Sequence, residues 1–198
     1  MRTVFLIGDS IRYGSHNSPG YGSIVARRLE GEYRVVQPDA NCEFTLYTLR
    51  HLRDWVKKLP AEKVDLVHWN NGLWDCAFVD GDSEPLVPPE VYAHTLVRIH
   101  RTLRSYFPEA KIVFALTTPI VEASYGPEFV RKNAVIREYN RIAAETLSPL
   151  GVIINDLYAV AESMTPDDYA DRKTHFNAAA DELLADAVVA AIRRELEE

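Results

Sequence analysis

The sequence predicts an α/β protein with three α/β/α layers and a flavodoxin-like, doubly wound sheet of five parallel strands. Three observations lead to this prediction. Short apolar runs alternate with longer segments of helical periodicity, which is typical of βαβ units. The first run, Thr3–Ile7, is continuously apolar, as expected for a strand buried on both faces. Right-handed crossovers then favour the strand order 2-1-3-4-5.

The first half of the chain is predicted to hold three strands and two helices. In chain order these are the strand Thr3–Ile7, the helix Gly20–Glu30, the strand Tyr33–Gln37, the helix Leu46–Leu59 and the strand Val64–Trp69. We expect Pro60 to end the second helix, because a proline ring cannot continue the helical hydrogen bonds.

The second half is predicted to hold three helices and two strands. In order they are a helix from Pro89 to about Phe107, the strand Lys111–Leu116, the helix Glu128–Leu147, the strand Gly151–Ile154 and a helix that begins near Asn177. Asp80–Pro89 is rich in proline and is predicted as a loop, and Pro89 suits a first helical turn. Ile136 and Tyr139 share one face of the fourth helix, and Asn177 is a good N-cap.

Composition narrows the class of protein. The 198 residues suit one domain over 1–198, and the formal net charge of −7 argues against a nucleic-acid partner, whose phosphates require clustered Lys and Arg.

No apolar run approaches the roughly 20 residues of a membrane helix, and the short stretch Val4–Gly8 does not resemble a signal peptide. Cys42 and Cys76 are too few for a disulfide framework or a zinc site. We therefore predict a cytoplasmic protein without a membrane or nucleic-acid partner, and leave self-association open.

A serine follows the first predicted strand directly. Ligands of doubly wound sheets bind at the carboxyl ends of the strands, and Gly8-Asp9-Ser10 lies there. A serine hydroxyl needs an adjacent base to act as a nucleophile. His175 precedes the last helix, and helix N-termini gather at that same edge of the sheet. Ser10 and His175 are therefore predicted to meet, although Asp9 and Ser10 also suit a capping role.

A carboxylate would have to orient the imidazole. Asp171 lies four residues before His175, and Asp167 and Asp168 are near enough to compete with it. An oxyanion also needs hydrogen-bond donors. Asn70 or Asn71, at the end of the third strand, can supply an amide over the rim.

In these residues and their order the chain resembles the SGNH (GDSL-type) esterase and lipase family. Gly8–Ile11, Asn70–Leu73 and Asp171–Asn177 would be its first, third and fifth blocks. The resemblance implies a Ser10–His175–Asp171 triad, with the N–H of Ser10 and the amide of Asn71, or in second place Asn70, as oxyanion donors.

The chain departs from the family pattern in three places. Its second block usually has a glycine, but none lies between Gly31 and Gly72, so the N–H would come from Cys42 or Glu43. The third block usually reads Gly-x-Asn. The aspartate normally precedes the histidine by three residues, a position that Arg172 holds here.

The resemblance implies a serine esterase for small acyl esters, acetyl esters above all, perhaps carried on carbohydrates. Asp9, Trp69 and Trp74 are predicted to contact the ester substrate, although aromatic residues there equally suit the core. Dinucleotide, phosphate-loop and metal motifs are absent from the sequence, so we predict no cofactor and no metal. The alternatives are an acyl thioesterase or lysophospholipase-type hydrolase, an acyltransferase, and a non-catalytic ligand-binding protein on the same fold.

Overall fold

The secondary structure follows the predicted alternation. A computed structural model describes residues 1–59 and 63–197. Its strands are β1 (Thr3–Ile7), β2 (Arg34–Val36), β3 (Leu66–Trp69), β4 (Phe78–Val79), β5 (Lys111–Ala115), β6 (Phe129–Val130) and β7 (Ile153–Asn155). Its α-helices are α1 (Ser10–Tyr13), α2 (Tyr21–Arg28), α3 (Thr45–Lys57), α4 (Pro89–Tyr106), α5 (Asn133–Leu147), α6 (Leu157–Ala161) and α7 (Ala178–Glu197).

Five of the strands form one parallel sheet in the order β2-β1-β3-β5-β7. Counted within the sheet this order is 2-1-3-4-5, so the predicted fold class is confirmed. Helix α2 packs against α7, and α4 packs against α3 and α5. Every residue of β1 and β3 is buried, because helices cover the sheet on both faces. The loops after β1 and β3 therefore start side by side at the carboxyl edge.

The predicted helix Glu128–Leu147 begins too early. Phe129 and Val130 pair antiparallel with Val79 and Phe78, and α5 starts only at Asn133. The periodicity around Ile136 was therefore correct, but its extension toward the N-terminus was wrong. Pairing between segments this far apart in sequence overrides the local pattern.

The remaining boundaries agree with the prediction to within two residues, the usual uncertainty of helix and strand ends. Asn177 caps the last helix as expected, since its Oδ1 accepts from the N–H of Ala180 at 3.0 Å. The short helices α1 and α6 were not predicted. Pro60 lies outside the described residues, so its role in ending α3 stays a prediction.

Buried apolar residues from Val4 to Leu196 belong to one core cluster. This cluster agrees with a single domain over 1–198, which stays a prediction. Among the residues that the structure describes, no helix is long and apolar enough to cross a membrane.

Gly8 lies where the polypeptide leaves β1, and a side chain there has no room. A Cβ on Gly8 would come within 1.9 Å of Asn70 Oδ1, which already accepts from Tyr21 Oη at 2.8 Å. We expect Gly8→Ala to lower the free energy of unfolding by about 1–3 kcal/mol, because a packed side chain must move. Urea unfolding followed by circular dichroism measures this.

Gly126→Ala is the matched control, because no atom lies within 4 Å of its added Cβ. It should change stability by less than about 0.5 kcal/mol. Equal effects of the two substitutions would contradict the steric explanation.

Candidate active site

The sheet brings Ser10 and His175 into contact. Ser10 is the first residue of α1, directly after the turn that leaves β1, and His175 lies just before α7. The Oγ atom of Ser10 lies 2.9 Å from Nε2 of His175. Residues 165 positions apart in sequence therefore share a hydrogen bond, as the sequence predicted.

Asp171 holds the other side of the imidazole. Its Oδ2 lies 2.7 Å from Nδ1 of His175. Its Oδ1 accepts the backbone N–H groups of Lys173, Thr174 and His175 at 2.9, 2.7 and 3.0 Å. Partial burial acts to raise the pKa of Asp171, but these hydrogen bonds outweigh it and lower the pKa below its ordinary value. The carboxylate thus stays ionised, so Nδ1 carries the proton and Nε2 is free to accept from Ser10.

The competing aspartates serve other contacts. Asp168 forms a capping box with Thr165, accepting its backbone N–H at 2.7 Å and its hydroxyl at 3.0 Å. Asp167 pairs with Arg172 at 2.7 Å on the exposed side of the loop. The structure therefore brings Asp171 to the histidine, and neither of the other two.

The sequence predicted that Asp9 contacts the substrate, and the structure corrects this. Its side chain is buried and caps α1, with Oδ1 accepting the N–H of Ile11 at 2.9 Å. Burial raises the pKa of Asp9 above its ordinary value, although hydrogen bonds from Ile11 and Asn70 act in the opposite direction. Asp9 therefore fixes the turn that presents Ser10.

The two asparagines at the end of β3 differ, and the structure corrects the prediction for Asn71 alone. Asn71 is fully buried; its Nδ2 donates to the Glu43 carbonyl at 2.7 Å, and its Oδ1 accepts from Trp69 Nε1 at 2.6 Å. Asn70 is buried against Gly8 and accepts from Tyr21. The Asn71 amide therefore joins the loops after β2 and β3 beneath the surface, whereas the predicted role of Asn70 as an oxyanion donor stays a prediction.

The loop after β2 also differs from expectation. The N–H of Cys42 donates to the Gly8 carbonyl at 3.0 Å, so this predicted oxyanion donor is already occupied. The N–H of Glu43 donates to Asn41 Oδ1 at 3.0 Å. Glu43 has a φ of 45°, in the left-handed region that favours glycine. That Glu43 replaces the second-block glycine stays a prediction, with which this conformation agrees.

The two tryptophans that flank the third block, Trp69 and Trp74, have different environments. Trp69 is fully buried, with its ring centroid 4.8 Å from that of Phe114. The prediction that Trp69 contacts substrate is therefore wrong, because this indole belongs to the core. Trp74, in the loop after β3, is only half-buried and packs edge-on against Phe129 of β6. It therefore stays a candidate for contact with the substrate.

Comparisons with known proteins agree with this geometry. Residues 6–183 match the model of the GDSL-like Lipase/Acylhydrolase family. The chain belongs to this family. It is therefore a carboxylic ester hydrolase, and the resemblance seen in its sequence is confirmed.

Individual relatives of this GDSL-like acylhydrolase are distant. The isoamyl acetate-hydrolyzing esterase 1 homolog of Mus musculus is 26% identical over 173 residues, covering 83% of this chain and 70% of the mouse protein. The lipase/acylhydrolase of Enterococcus faecalis superposes with a TM-score of 0.78 at 22% identity, covering 98% and 96% of the two chains. A carbohydrate esterase family 3 structure from Talaromyces cellulolyticus gives 0.73 at 16% identity, covering 100% and 99%.

One polar residue of this GDSL-like acylhydrolase escaped the sequence analysis. Asp75 is fully buried, and its Oδ1 accepts both the N–H and the hydroxyl of Thr45, at 3.0 and 2.5 Å. It thereby joins the loop after β3 to the start of α3. The available signal was an aspartate surrounded by apolar residues, from Leu73 to Phe78.

The conformation of Glu43 leads to a prediction about stability. A left-handed non-glycine residue costs roughly 1–2 kcal/mol, of which the freedom of glycine in the unfolded chain offsets about 0.4–1 kcal/mol. We expect Glu43→Gly to raise the free energy of unfolding by up to about 1 kcal/mol relative to Glu43→Ala. The alanine variant is the control, because it removes the same carboxylate but keeps the Cβ. A glycine variant no more stable than the alanine variant would disprove strain at this position.

Burial of Asp75 makes stability depend on pH. Burial raises the pKa of Asp75 from 3.8 to about 7. Between these values the folded chain binds more protons than the unfolded chain, so the free energy of unfolding falls as pH rises from about 4 to about 7. We expect Asp75→Asn to remove this part of the slope, on the order of a few kcal/mol across the range.

Urea titrations at several pH values measure the slope. Asp54→Asn, which changes an exposed carboxylate on α3, is the control and should keep the wild-type slope. Parallel profiles for wild type and Asp75→Asn would refute the assignment.

Proposed function

We propose that this GDSL-like acylhydrolase is a serine esterase that hydrolyses small acyl esters, acetyl esters foremost, through an acyl-serine intermediate. The observation that carries the proposal is the unbroken chain of hydrogen bonds from Ser10 Oγ through the His175 ring to Asp171, at 2.9 and 2.7 Å. A serine, a base and an orienting carboxylate in this order are the parts that nucleophilic acyl transfer requires.

The proposed reaction proceeds in two steps. His175 Nε2 takes the hydroxyl proton as Ser10 Oγ attacks the ester carbonyl, and Asp171 stabilises the charged imidazolium. The imidazolium then protonates the leaving alcohol, which leaves an acyl-serine. Water attacks this ester, gives its proton to the same nitrogen, and the carboxylic acid departs as Ser10 recovers its proton.

The oxyanion that forms when Ser10 attacks the ester carbonyl needs hydrogen-bond donors beside Ser10. Ser10 begins α1, so its backbone N–H has no carbonyl one turn earlier to donate to. We assign this N–H as a donor to the developing oxyanion. The side chain of Asn71 holds the loop at Glu43 in place. Asn70 stays a second candidate donor through its Nδ2, since its Oδ1 accepts from Tyr21 on α2.

The acyl and alcohol parts of the substrate are proposed from relatives and from the rim. The mouse relative is named for an acetate ester, and the Talaromyces structure is a carbohydrate esterase. Trp74 is partly exposed in the loop after β3, and an indole there is a surface on which a sugar ring can stack. We therefore propose small acetyl esters, including acetylated sugars, as substrates.

Location and assembly are proposed from the residues alone. Cys42 and Cys76 are buried free thiols, which suits the reducing cytoplasm. A single copy of the chain carries Ser10, His175 and Asp171 in contact, so the proposed reaction needs no second subunit. Self-association stays open.

Hydrolysis of 4-nitrophenyl acetate tests the proposal. We expect Ser10→Ala and His175→Ala each to lower kcat by at least about 10³-fold, because the nucleophile or its base is lost. Ser23→Ala, which changes an exposed serine on α2, should retain wild-type activity.

Substrate scope follows from the same assay. A series of acyl chain lengths and acetylated sugars, each with Ser10→Ala as the blank, separates a short-chain esterase from a thioesterase or lysophospholipase. Faster product formation with an added sugar acceptor than with water would indicate an acyltransferase. Equal rates for wild type and Ser10→Ala would favour a binding protein instead.

A further inference from the structure

Arg131, between β6 and α5, is a buried cation without an ion-pair partner among the described residues. Its side chain is only 6% exposed. Within residues 1–59 and 63–197, no carboxylate oxygen lies within the 4.0 Å of an ion pair from its guanidinium. Arginine is rarely buried to this degree without a counter-charge, because removing the cation from water is costly.

The protein fixes the guanidinium but satisfies only part of it. Nε donates to the Leu73 carbonyl at 2.6 Å, and Nη1 donates to the Tyr125 hydroxyl at 3.1 Å. The group also lies over three aromatic rings, with Cζ 4.7 Å from the centroid of Phe129, 5.4 Å from Trp74 and 5.8 Å from Tyr125. In the described part of the chain, Nη2 has no acceptor. The group is therefore held in a set orientation with hydrogen-bonding capacity left over.

Arg131 is connected to both sides of the candidate active site. Leu73 and Trp74 belong to the loop after β3, next to the turn that carries Ser10. The Tyr125 hydroxyl, which accepts from Arg131, also hydrogen-bonds the Thr174 hydroxyl, one residue before His175. The cation thus lies between the loop after β3 and the loop that carries the histidine.

The charges around Arg131 agree with its position beside the candidate active site. Burial raises the pKa of Asp9, and the positive charge of Arg131 is among the influences that counter it. A second cation stands nearby, because Lys173 Nζ lies 4.3 Å from the centroid of the Tyr125 ring. Arg131 and Lys173 thus place two cations on the Tyr125 ring, in a chain of net charge −7.

We propose that Arg131 binds a carboxylate carried by the substrate, so that this enzyme prefers esters with a free carboxylate near the scissile bond. The inference rests on the proposed esterase function and adds the substrate class. A planar guanidinium forms strong paired hydrogen bonds with carboxylates, and burial beneath aromatic rings strengthens them. The carboxylate is carried by the acyl part or the alcohol part of the ester, and the two sources are separated by experiment.

Two matched substrate pairs test the proposal. For the acyl side, 4-nitrophenyl hemisuccinate is compared with 4-nitrophenyl butyrate; for the alcohol side, 3-acetoxybenzoate is compared with 3-acetoxybenzamide. We expect wild-type kcat/KM to favour the anionic member of one pair by about 10-fold or more, the range of a charged hydrogen bond. Arg131→Gln should abolish that preference, mainly through KM, while the neutral ester changes less than about threefold.

The controls separate charge from packing. Lys132→Gln removes one positive charge from the adjacent exposed residue and should keep the wild-type preference. Arg131→Lys keeps the charge without the planar group and should retain part of the preference. A wild type without preference in either pair, or an Arg131→Gln variant that loses both esters equally, overturns the proposal.

A binding measurement that needs no turnover completes the test. Calorimetry with free succinate and with neutral succinamide should show succinate binding to wild type at least about 10-fold more tightly than to Arg131→Gln, with no such difference for succinamide. Absence of succinate binding to wild type overturns the anion site. Binding without any Ser10-dependent hydrolysis would instead leave the site standing and refute the esterase function.

Discussion

Parallel pairing between β1 and β3 is the constraint on which the site depends. Ile7 lies opposite Trp69, and the first residue beyond β3 continues the ladder, with Asn70 N–H donating to the Ile7 carbonyl at 3.1 Å. The loops that follow β1 and β3 therefore leave the sheet at the same level. Gly8 then lets the turn lie directly on the Asn70 side chain, where no Cβ fits. A slip of one residue in this register would separate the serine from the loop that supports it.

The main features of the fold and site could be predicted because they follow from local rules. An apolar strand, a serine directly after it and a histidine directly before a helix suffice to place two reactive side chains at one sheet edge. Distances and hydrogen-bond states do not follow from such rules. The sequence made Cys42 and Asn71 reasonable oxyanion donors. In the folded chain, however, the N–H of Cys42 donates to the Gly8 carbonyl and the amide of Asn71 donates to the Glu43 carbonyl. These groups are occupied by partners that only the folded chain reveals.

The buried polar side chains near the site mainly hold loops and helix ends together through hydrogen bonds. Asn71 connects the loops after β2 and β3, and Asp75 connects the second of these loops to α3. Asp9 performs the same task for the turn before Ser10. Each is buried, so leaving any of them unpaired would be costly, and the loops are thereby confined to one arrangement. Rigid loops at the rim are what a preorganised reaction site requires.

The loop before His175 has a wider consequence for recognising such sites. Arg172 adopts a φ of 54°, and this left-handed residue folds the backbone so that one oxygen of Asp171 collects three amide protons while the other reaches the imidazole. The extra residue between acid and base is absorbed by a single bend of the chain. A text pattern that demands a fixed Asp-x-x-His interval would discard this protein, whereas a search on atomic geometry would retain it.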